Sequence, residues 1–471
     1  MKTLVRGGRL VDPAQGIDAL RDVLIENGFV ARIGEHLEPD GARVVDAVGA
    51  VVAPGFVDMH VHLREPGHMH KETIASGTAA AVAGGFTAVA CMPNTEPALD
   101  SAAIVSEVVR RAEAAGLARV YPVGALTRGR AGKELAPYHL LADAGCVAFS
   151  DDGSTVRDAR VLRNAARYAA DLPCAFISHC EDPDLKGDAV MNEGPASMRL
   201  GLDGSPGLAE DVIVARDLLI AGDTGKHWHI AHVSTASSLD LIRWARARGV
   251  RVTCEVTPHH LVFADDRFDD YRADSKVNPP LRGPRDRDAL LAGVLDGTID
   301  VFATDHAPHG LDEKAQLLSA APVGFSGLEI ALGAYAYALP DLPLARFVEL
   351  LSVNPARILG VPGGTLDTGS RGDVTVFADR HWAVDARLFH SKGKNTPFDG
   401  MVLPRRAVAT IVGGAVVFEH GRAQGVAVVR AAQGRVHLGL GAVVVEAVVE
   451  EDQVVRRHLA GHPHAARARP A

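Results

Sequence analysis

His60 and His62 stand two residues apart in Gly55-Phe-Val-Asp-Met-His-Val-His-Leu-Arg-Glu-Pro-Gly67. Residues i and i+2 of a β-strand project from the same face, so both imidazoles can reach one point in space. Two neutral imidazoles converging at the end of a buried strand suit a divalent metal of the zinc type. Arg64 continues the alternation, which places a guanidinium beside that metal, able to grip a carboxylate two-pronged. A single histidine at a strand end is ordinary, so the reading depends on partners elsewhere.

Partners follow at regular intervals. Apolar runs end at Met92-Pro93-Asn94, Asp151-Asp152-Gly153, His179-Cys180-Glu181-Asp182, His232, Thr257-Pro258-His259-His260 and Thr304-Asp305-His306-Ala307-Pro308-His309. Placing the chain's 21 histidines at random would rarely put a histidine or carboxylate after nearly every apolar run. His60, His62 and Asp305 can hold one metal, and His179 and His232 a second. A carboxylate from Asp151 or Asp152 can bridge them. Two divalent ions roughly 3.5–4 Å apart activate a water and polarise a carbonyl. Asp305 can then take a proton from that water and pass it to a leaving nitrogen. Asp151 and Asp152 face opposite ways on an extended chain, so only one bridges, and spacing does not say which. His259-His260 reads as packing or support for the ligands rather than as ligands. Gly84-Gly85 is a turn, since no P-loop lysine follows it. His306 to Ala321, polar and Gly/Ala-containing, reads as a lid over the site.

These groups must be carried by something that gathers strand ends. Eight apolar strand candidates occur: Phe56–Val61, Phe86–Met92, Arg119–Gly124, Cys146–Ser150, Cys174–Ser178, His227–Ala231, Val250–Val256 and Ile299–Ala303. Helical stretches follow most of them: Glu72–Ala83, Ala102–Ala115, Val156–Ala170, Leu208–Ala221, Ser237–Arg248 and Arg285–Leu295. Continuous apolar strands alternating with helices predict an α/β fold of the (β/α)8 TIM-type barrel class, with its site at the C-terminal strand ends. Thr3–Arg6, Arg9–Asp12, Asp22–Glu26 and Arg43–Asp46 read as short strands, too few for an independent core. Asp373–Phe377, Ala407–Val412 and a hairpin through Gly413-Gly414 to Phe418 supply the complement. The expected organisation is a small β-sandwich from residues 1–54 and 363–421 around a barrel at 55–362. Residues 422–471 are expected to be a poorly ordered C-terminal extension.

Composition excludes several classes. The 471 residues are 47% hydrophobic and 23% charged, an ordinary globular balance. A net charge of −9, with both signs spread along the chain, argues against a nucleic-acid surface. No apolar run reaches membrane-spanning length, and Met1-Lys2 leads into strand-like sequence with no secretory h-region. The five cysteines are odd in number and lack C-x-x-C spacing, which points to a reducing, cytoplasmic setting.

Longer motifs sharpen this reading. Asp-Met-His-Val-His-Leu-Arg-Glu-Pro-Gly (58–67), Cys-Met-Pro-Asn-Thr (91–95), Ser-Asp-Asp-Gly (150–153) and Ser-His-Cys-Glu-Asp (178–182) occur in that order. Lys-Val-Asn-Pro-Pro-Leu-Arg (276–282), Ala-Thr-Asp-His-Ala-Pro-His (303–309), Gly-Phe-Ser-Gly-Leu-Glu (324–329) and Lys-Asn-Thr-Pro-Phe-Asp-Gly (394–400) follow. Through about residue 421 the chain resembles the dihydroorotases of the amidohydrolase superfamily, of the long bacterial type with Asp at the metal bridge. The resemblance implies reversible cyclisation of N-carbamoyl-L-aspartate to dihydroorotate, a step of pyrimidine synthesis, with two Zn2+ per subunit. It implies that His60, His62 and Asp305 bind one zinc, that His179 and His232 bind the other, that Asp152 bridges, and that Asp305 is the acid/base. Arg64, Asn94 and His309 should hold the substrate carboxylate, with His62 also at the substrate. Asn278 and the backbone around Val323-Gly324 should hold the ring edge. Hydantoinases and allantoinases, the neighbouring cyclic-amide hydrolases, usually need a carboxylated lysine on strand four, and Cys146–Gly153 contains none. A non-catalytic dihydroorotase-like partner of aspartate transcarbamoylase would have lost metal histidines, and all four are present here. The resemblance carries the expectation of a homo-oligomer and leaves association with that transcarbamoylase open.

Overall fold

The computed structural model describes residues 1–419 and the strand Arg422–Ala423. Eight strands form one sheet: β1 (Phe56–Val61), β2 (Phe86–Cys91), β3 (Arg119–Ala125), β4 (Ala148–Ser150), β5 (Ala175–Ser178), β6 (Trp228–Ile230), β7 (Val252–Val256) and β8 (Val301–Phe302). Each pairs in parallel with the next in chain order. The ring closes where Val61 bridges in parallel to His306 and the His62 N–H donates to the His306 carbonyl at 2.8 Å. The (β/α)8 class expected from the alternation is therefore observed, and the closing contact is made by residues of two of the candidate motifs, 58–67 and 303–309.

The two faces of the sheet pack differently. Along β2, Phe86, Val89 and Cys91 join the cluster that includes helix residues Ala80, Val105 and Val108. Ala88 and Ala90 join an inner cluster with Val57, Met59, Val123, Ile177, Ala231, Val301 and Ala303. Small residues on the inner face let the opposed strands approach one another, as a filled barrel requires. The helices begin on sequence signals. Thr73 caps Ile74–Ala83 by accepting the Ser76 N–H, Asp158 accepts from Arg160 and Val161, and Thr235 accepts from Ser238. Gly116, in the left-handed conformation, ends Ala102–Ala115.

Two smaller sheets lie beside the barrel. One has the order Phe29–Gly34, Asp22–Glu26, Lys2–Arg6, Arg43–Asp46. The other runs Arg422–Ala423, Ala415–Glu419, Arg406–Val412, Val374–Ala378, Val51–Pro54, Arg9–Asp12, Ile17–Leu20. Val5, Val23, Ile25, Val52, Val374, Val376 and Ile411 share one core. Segments from both ends of the described residues thus meet in one sandwich, with Val51–Pro54 pairing to Val374–Ala378 immediately before β1 begins. Apart from Arg422 and Ala423, the call on 422–471 lies outside the described residues. No helix among the described residues is long and apolar enough to cross a membrane.

Candidate metal centre and substrate cleft

His60, His62, Asp152, His179, His232 and Asp305 come from the ends of β1, β4, β5, β6 and β8, and all six are buried. His60, His62 and Asp305 form one group whose potential ligand atoms all lie within 4.8 Å of each other; His60, Asp152 and His232 form a second. His60 thus belongs to both groups. His179 stands at their edge, its Nδ1 3.0 Å from His232 Nε2 and 4.0 Å from Asp152 Oδ1.

The tautomers follow from the partners. A neutral imidazole carries one proton, and the ring nitrogen that meets an accepting oxygen away from the ligand cluster is the one that carries it. His60 Nδ1 lies 2.6 Å from Glu255 Oε1, and His62 Nδ1 lies 2.8 Å from Asn94 Oδ1. Both rings therefore turn an Nε2 lone pair inward. His60 Nε2 faces Asp152 Oδ1 at 3.3 Å and His62 Nε2 faces Asp305 Oδ1 at 3.0 Å. These are acceptors pointing at acceptors. His60 Nε2 and Asp152 Oδ1 are buried with no hydrogen-bond partner. Unpaired buried acceptors are costly, and a cation is the species that satisfies several at once. The residues present fit a divalent metal.

Electrostatics agree. Burial alone would raise Asp152, but the imidazoles of His60, His232 and His62 around it hold it well below the ordinary carboxylate value. Asp305 is likewise depressed: burial opposes this, and the neighbouring imidazoles of His62, His60 and His232 outweigh it. Both carboxylates are ionised at neutral pH. Three groups of the site, Arg64 (φ 60°), His232 (φ 30°) and Asp305 (φ 48°), sit in the left-handed region. That conformation costs a non-glycine residue about 1–3 kcal/mol and persists where the surroundings enforce it, as at functional sites.

Asp151 turns the other way. It accepts from the Leu126 N–H at 2.9 Å, the Thr127 N–H at 3.1 Å and the Thr127 hydroxyl. Of the two adjacent aspartates, Asp152 alone reaches the histidines.

A cleft of about 300 Å3 opens over these groups, lined by His62, Arg64, Asn94, Asn278, His309 and Val323, with Asp152, His179, His232, Asp305 and Gly324. Every residue expected at the substrate lines it. Gly324 has φ 106°, and a Cβ there would stand 2.5 Å from Ala307 Cβ, so this wall closes only on glycine. His309 Nε2 donates to the Val323 carbonyl at 2.8 Å, while its Nδ1 faces Lys71 Nζ at 3.3 Å. Burial and the charge of Arg64 push His309 down to about 3, so the ring is neutral. Arg64 Nη2 lies 3.3 Å from His309 Nε2, whose proton goes to the Val323 carbonyl, and Arg64 Nε donates to the Pro308 carbonyl at 3.3 Å. Burial brings Arg64 down to about 10, against the pull of Asp305 and Asp152, and it stays charged at neutral pH.

Other residues serve the site without having been singled out. Glu255, buried in the apolar run Val252–Val256, accepts from His60 Nδ1, from His229 Nε2 at 3.1 Å and from the His232 N–H at 3.2 Å. A lone carboxylate inside a buried strand was the available signal. Asp58 accepts the His60 and Thr304 N–H groups at 3.1 and 3.2 Å, tying β1 to the end of β8. His306 faces Glu72 at 3.3 Å and accepts from the Gly327 N–H at 3.1 Å. His260 bonds to the Thr257 hydroxyl at 2.7 Å and the Pro279 carbonyl at 3.1 Å, whereas His259 packs on Phe325 at a ring distance of 4.9 Å. Within the segment read as a lid, Leu311–Lys314 is a short helix whose Glu313 pairs with Lys71 at 2.9 Å.

Comparison with known proteins bears on this arrangement. Residues 49–238 match the family model described as Dihydro-orotase-like. A dihydroorotase of Pelotomaculum thermopropionicum is 50% identical over 423 residues, 89% of this chain and 99% of its own. One of Anaeromyxobacter sp. (strain K) is 51% identical over 425 residues, 89% of this chain and 98% of its own. Among solved structures, an L-hydantoinase (dihydropyrimidinase) from Arthrobacter aurescens superposes with a TM-score of 0.80 at 26% identity, over 89% of this chain and 97% of that one. A dihydropyrimidinase from Brevibacillus agri gives 0.77 at 21% identity over 90% and 96% of the two chains, a likeness of fold alone. With half its residues shared over nearly the full length of such relatives, the chain belongs to the dihydroorotase family.

Proposed function

We propose that the protein is a dihydroorotase, interconverting dihydroorotate and N-carbamoyl-L-aspartate with two zinc ions per subunit. One observation carries the choice of substrate: the charged Arg64 guanidinium, with His309 beside it, stands on the wall of the same cleft as the converging ligands. A ring amide that also bears a carboxylate matches both halves.

In this reading His60, His62 and Asp305 hold one ion, His179 and His232 the other, with Asp152 between. When bound, the metals supply Lewis acidity toward the amide carbonyl and lower the pKa of water. Arg64, His309 and Asn94 orient the substrate carboxylate. Asn94 also fixes the tautomer of His62. The Val323-Gly324 backbone and Asn278 border the ring. Asp305, ionised and adjacent to His62, takes the proton as a C–O bond forms at the amide carbon. It returns that proton to the ring nitrogen as the C–N bond breaks; cyclisation runs the same steps backwards. The reading of Asp152 as the bridge, with no carboxylated lysine, is supported by the cleft lining, which among the described residues includes no lysine. The reading places the enzyme in the cytoplasm as a homo-oligomer and keeps aspartate transcarbamoylase as a candidate partner.

The test is discrimination by the carboxylate. Dihydroorotate should be hydrolysed, and dihydrouracil, the same ring without the carboxylate, turned over roughly 100-fold or more slowly. Equal rates on the two rings would contradict the assignment and favour a hydantoinase-like activity.

A further inference from the structure

Asn278 is held in an unusual way for a residue expected to meet the substrate. Its Oδ1 accepts from Lys186 Nζ at 2.9 Å, and its Nδ2 donates to Glu181 Oε2 at 2.8 Å. Lys186 Nζ closes the triangle on the same Glu181 oxygen at 2.7 Å. The amide orientation is thereby fixed: reversed, it would set NH2 against ammonium and C=O against carboxylate. One Nδ2 hydrogen is consumed by Glu181. The other is left for the cleft that Asn278 and His179 both line; Nδ2 itself stands 3.1 Å from His179 Nε2.

The same triangle touches the metal centre. His179 turns Nδ1 toward His232 and Asp152, so a lone pair there requires the proton on Nε2. The nearest acceptor for that proton is Glu181 Oε2, at 3.5 Å. Glu181 is itself buried, and its second oxygen has no hydrogen-bond partner.

We propose that Glu181 and Lys186 are positioning residues that act together, Glu181 holding His179 in its metal-binding tautomer and both presetting the Asn278 amide toward the substrate ring. The proposal deepens the dihydroorotase reading and rests on it for the identity of the substrate. Lys186 is partly exposed at the rim, so its loss tests the device without emptying the core. Glu181 stands one turn of loop from a ligand and couples the ring-edge contact to the metal.

The experiment uses the full chain and three variants, Lys186→Met, Lys186→Arg and Glu181→Gln, with two readouts. The first is zinc affinity of the metal-stripped protein by chelator competition, which needs no turnover. The second is KM and kcat for dihydroorotate. Glu181→Gln should weaken the less tightly held zinc roughly 10- to 100-fold, the usual effect of losing a carboxylate behind a ligating histidine. Lys186→Met should bind zinc as wild type, raise KM roughly five- to tenfold and move kcat much less; Lys186→Arg should recover most of the loss. A purely structural role would lower the melting temperature and leave KM and zinc affinity alone. Wild-type zinc affinity in Glu181→Gln together with unchanged KM in Lys186→Met would overturn the proposal. If wild type fails to act on dihydroorotate, the substrate reading falls, while the chelator competition still decides the role of Glu181.

Discussion

Two adjacent aspartates divide the work at the end of β4, and their variants should separate cleanly. Asp152 faces His60 at 3.3 Å and His232 at 3.7 Å, so Asp152→Ala should lose one metal equivalent and most activity. Asp151→Ala strands the donors of Leu126 and Thr127 instead. It should lower stability by about 1–3 kcal/mol with metal content intact, read by a denaturant melt and metal analysis of the same sample. Arg64 makes the complementary case. It contacts Pro308 and His309 and is not a ligand, so Arg64→Ala should raise KM roughly 10- to 100-fold and leave zinc bound. Loss of zinc in that variant would place the guanidinium in the metal centre rather than at the carboxylate.

The elements that carry these residues were largely legible before any coordinates. β1 matches the expected Phe56–Val61 to the residue, because Pro54-Gly55 marks its start and the β-branched and apolar residues around Asp58 and His60 read as a buried strand. β8 covers Val301–Phe302 of the five residues expected: Ile299 and Asp300 precede it, and Ala303 still donates to the Val256 carbonyl at 3.2 Å before the chain turns to bring Asp305 and His306 into the site. Ala331–Ala338 went unseen as a helix: Ala-Leu-Gly-Ala-Tyr-Ala-Tyr-Ala is apolar nearly all round and shows no helical period. Val51–Pro54 was also missed, because four buried residues directly before β1 blur into it. Ligands were readable because histidine and aspartate at strand ends are unusual. Their supports were not, since Glu181, Glu255 and Lys186 gain meaning only from neighbours distant in sequence. Glu255 on β7 shows what such a support does. Glu255→Gln keeps the shape but weakens the acceptor shared by His60 Nδ1, His229 and the His232 N–H. Zinc affinity should fall roughly 10- to 100-fold, measured by chelator competition. Wild-type affinity would make Glu255 a packing residue.

At the scale of the whole molecule, both ends of the described chain build the sandwich, and its strand Val51–Pro54 feeds directly into β1, which carries His60 and leads to His62. Every residue lining the cleft precedes Phe325. Ending the chain after Ala423 should therefore preserve dihydroorotate hydrolysis, and a soluble but inactive truncation would show that residues 424–471 complete the site or the assembly. The central claim joins a two-metal centre, an aspartate bridge and dihydroorotate. It is tested most directly by stripping the protein with chelator, returning zinc in carbon-dioxide-free and bicarbonate-containing buffers, and following dihydroorotate hydrolysis against zinc added. Activity should vanish on stripping and rise with zinc until two equivalents per chain are bound, to the same level in both buffers, because Asp152 supplies its carboxylate directly. Recovery that requires bicarbonate would contradict the aspartate bridge, and zinc-loaded protein without dihydroorotate hydrolysis would contradict the function itself.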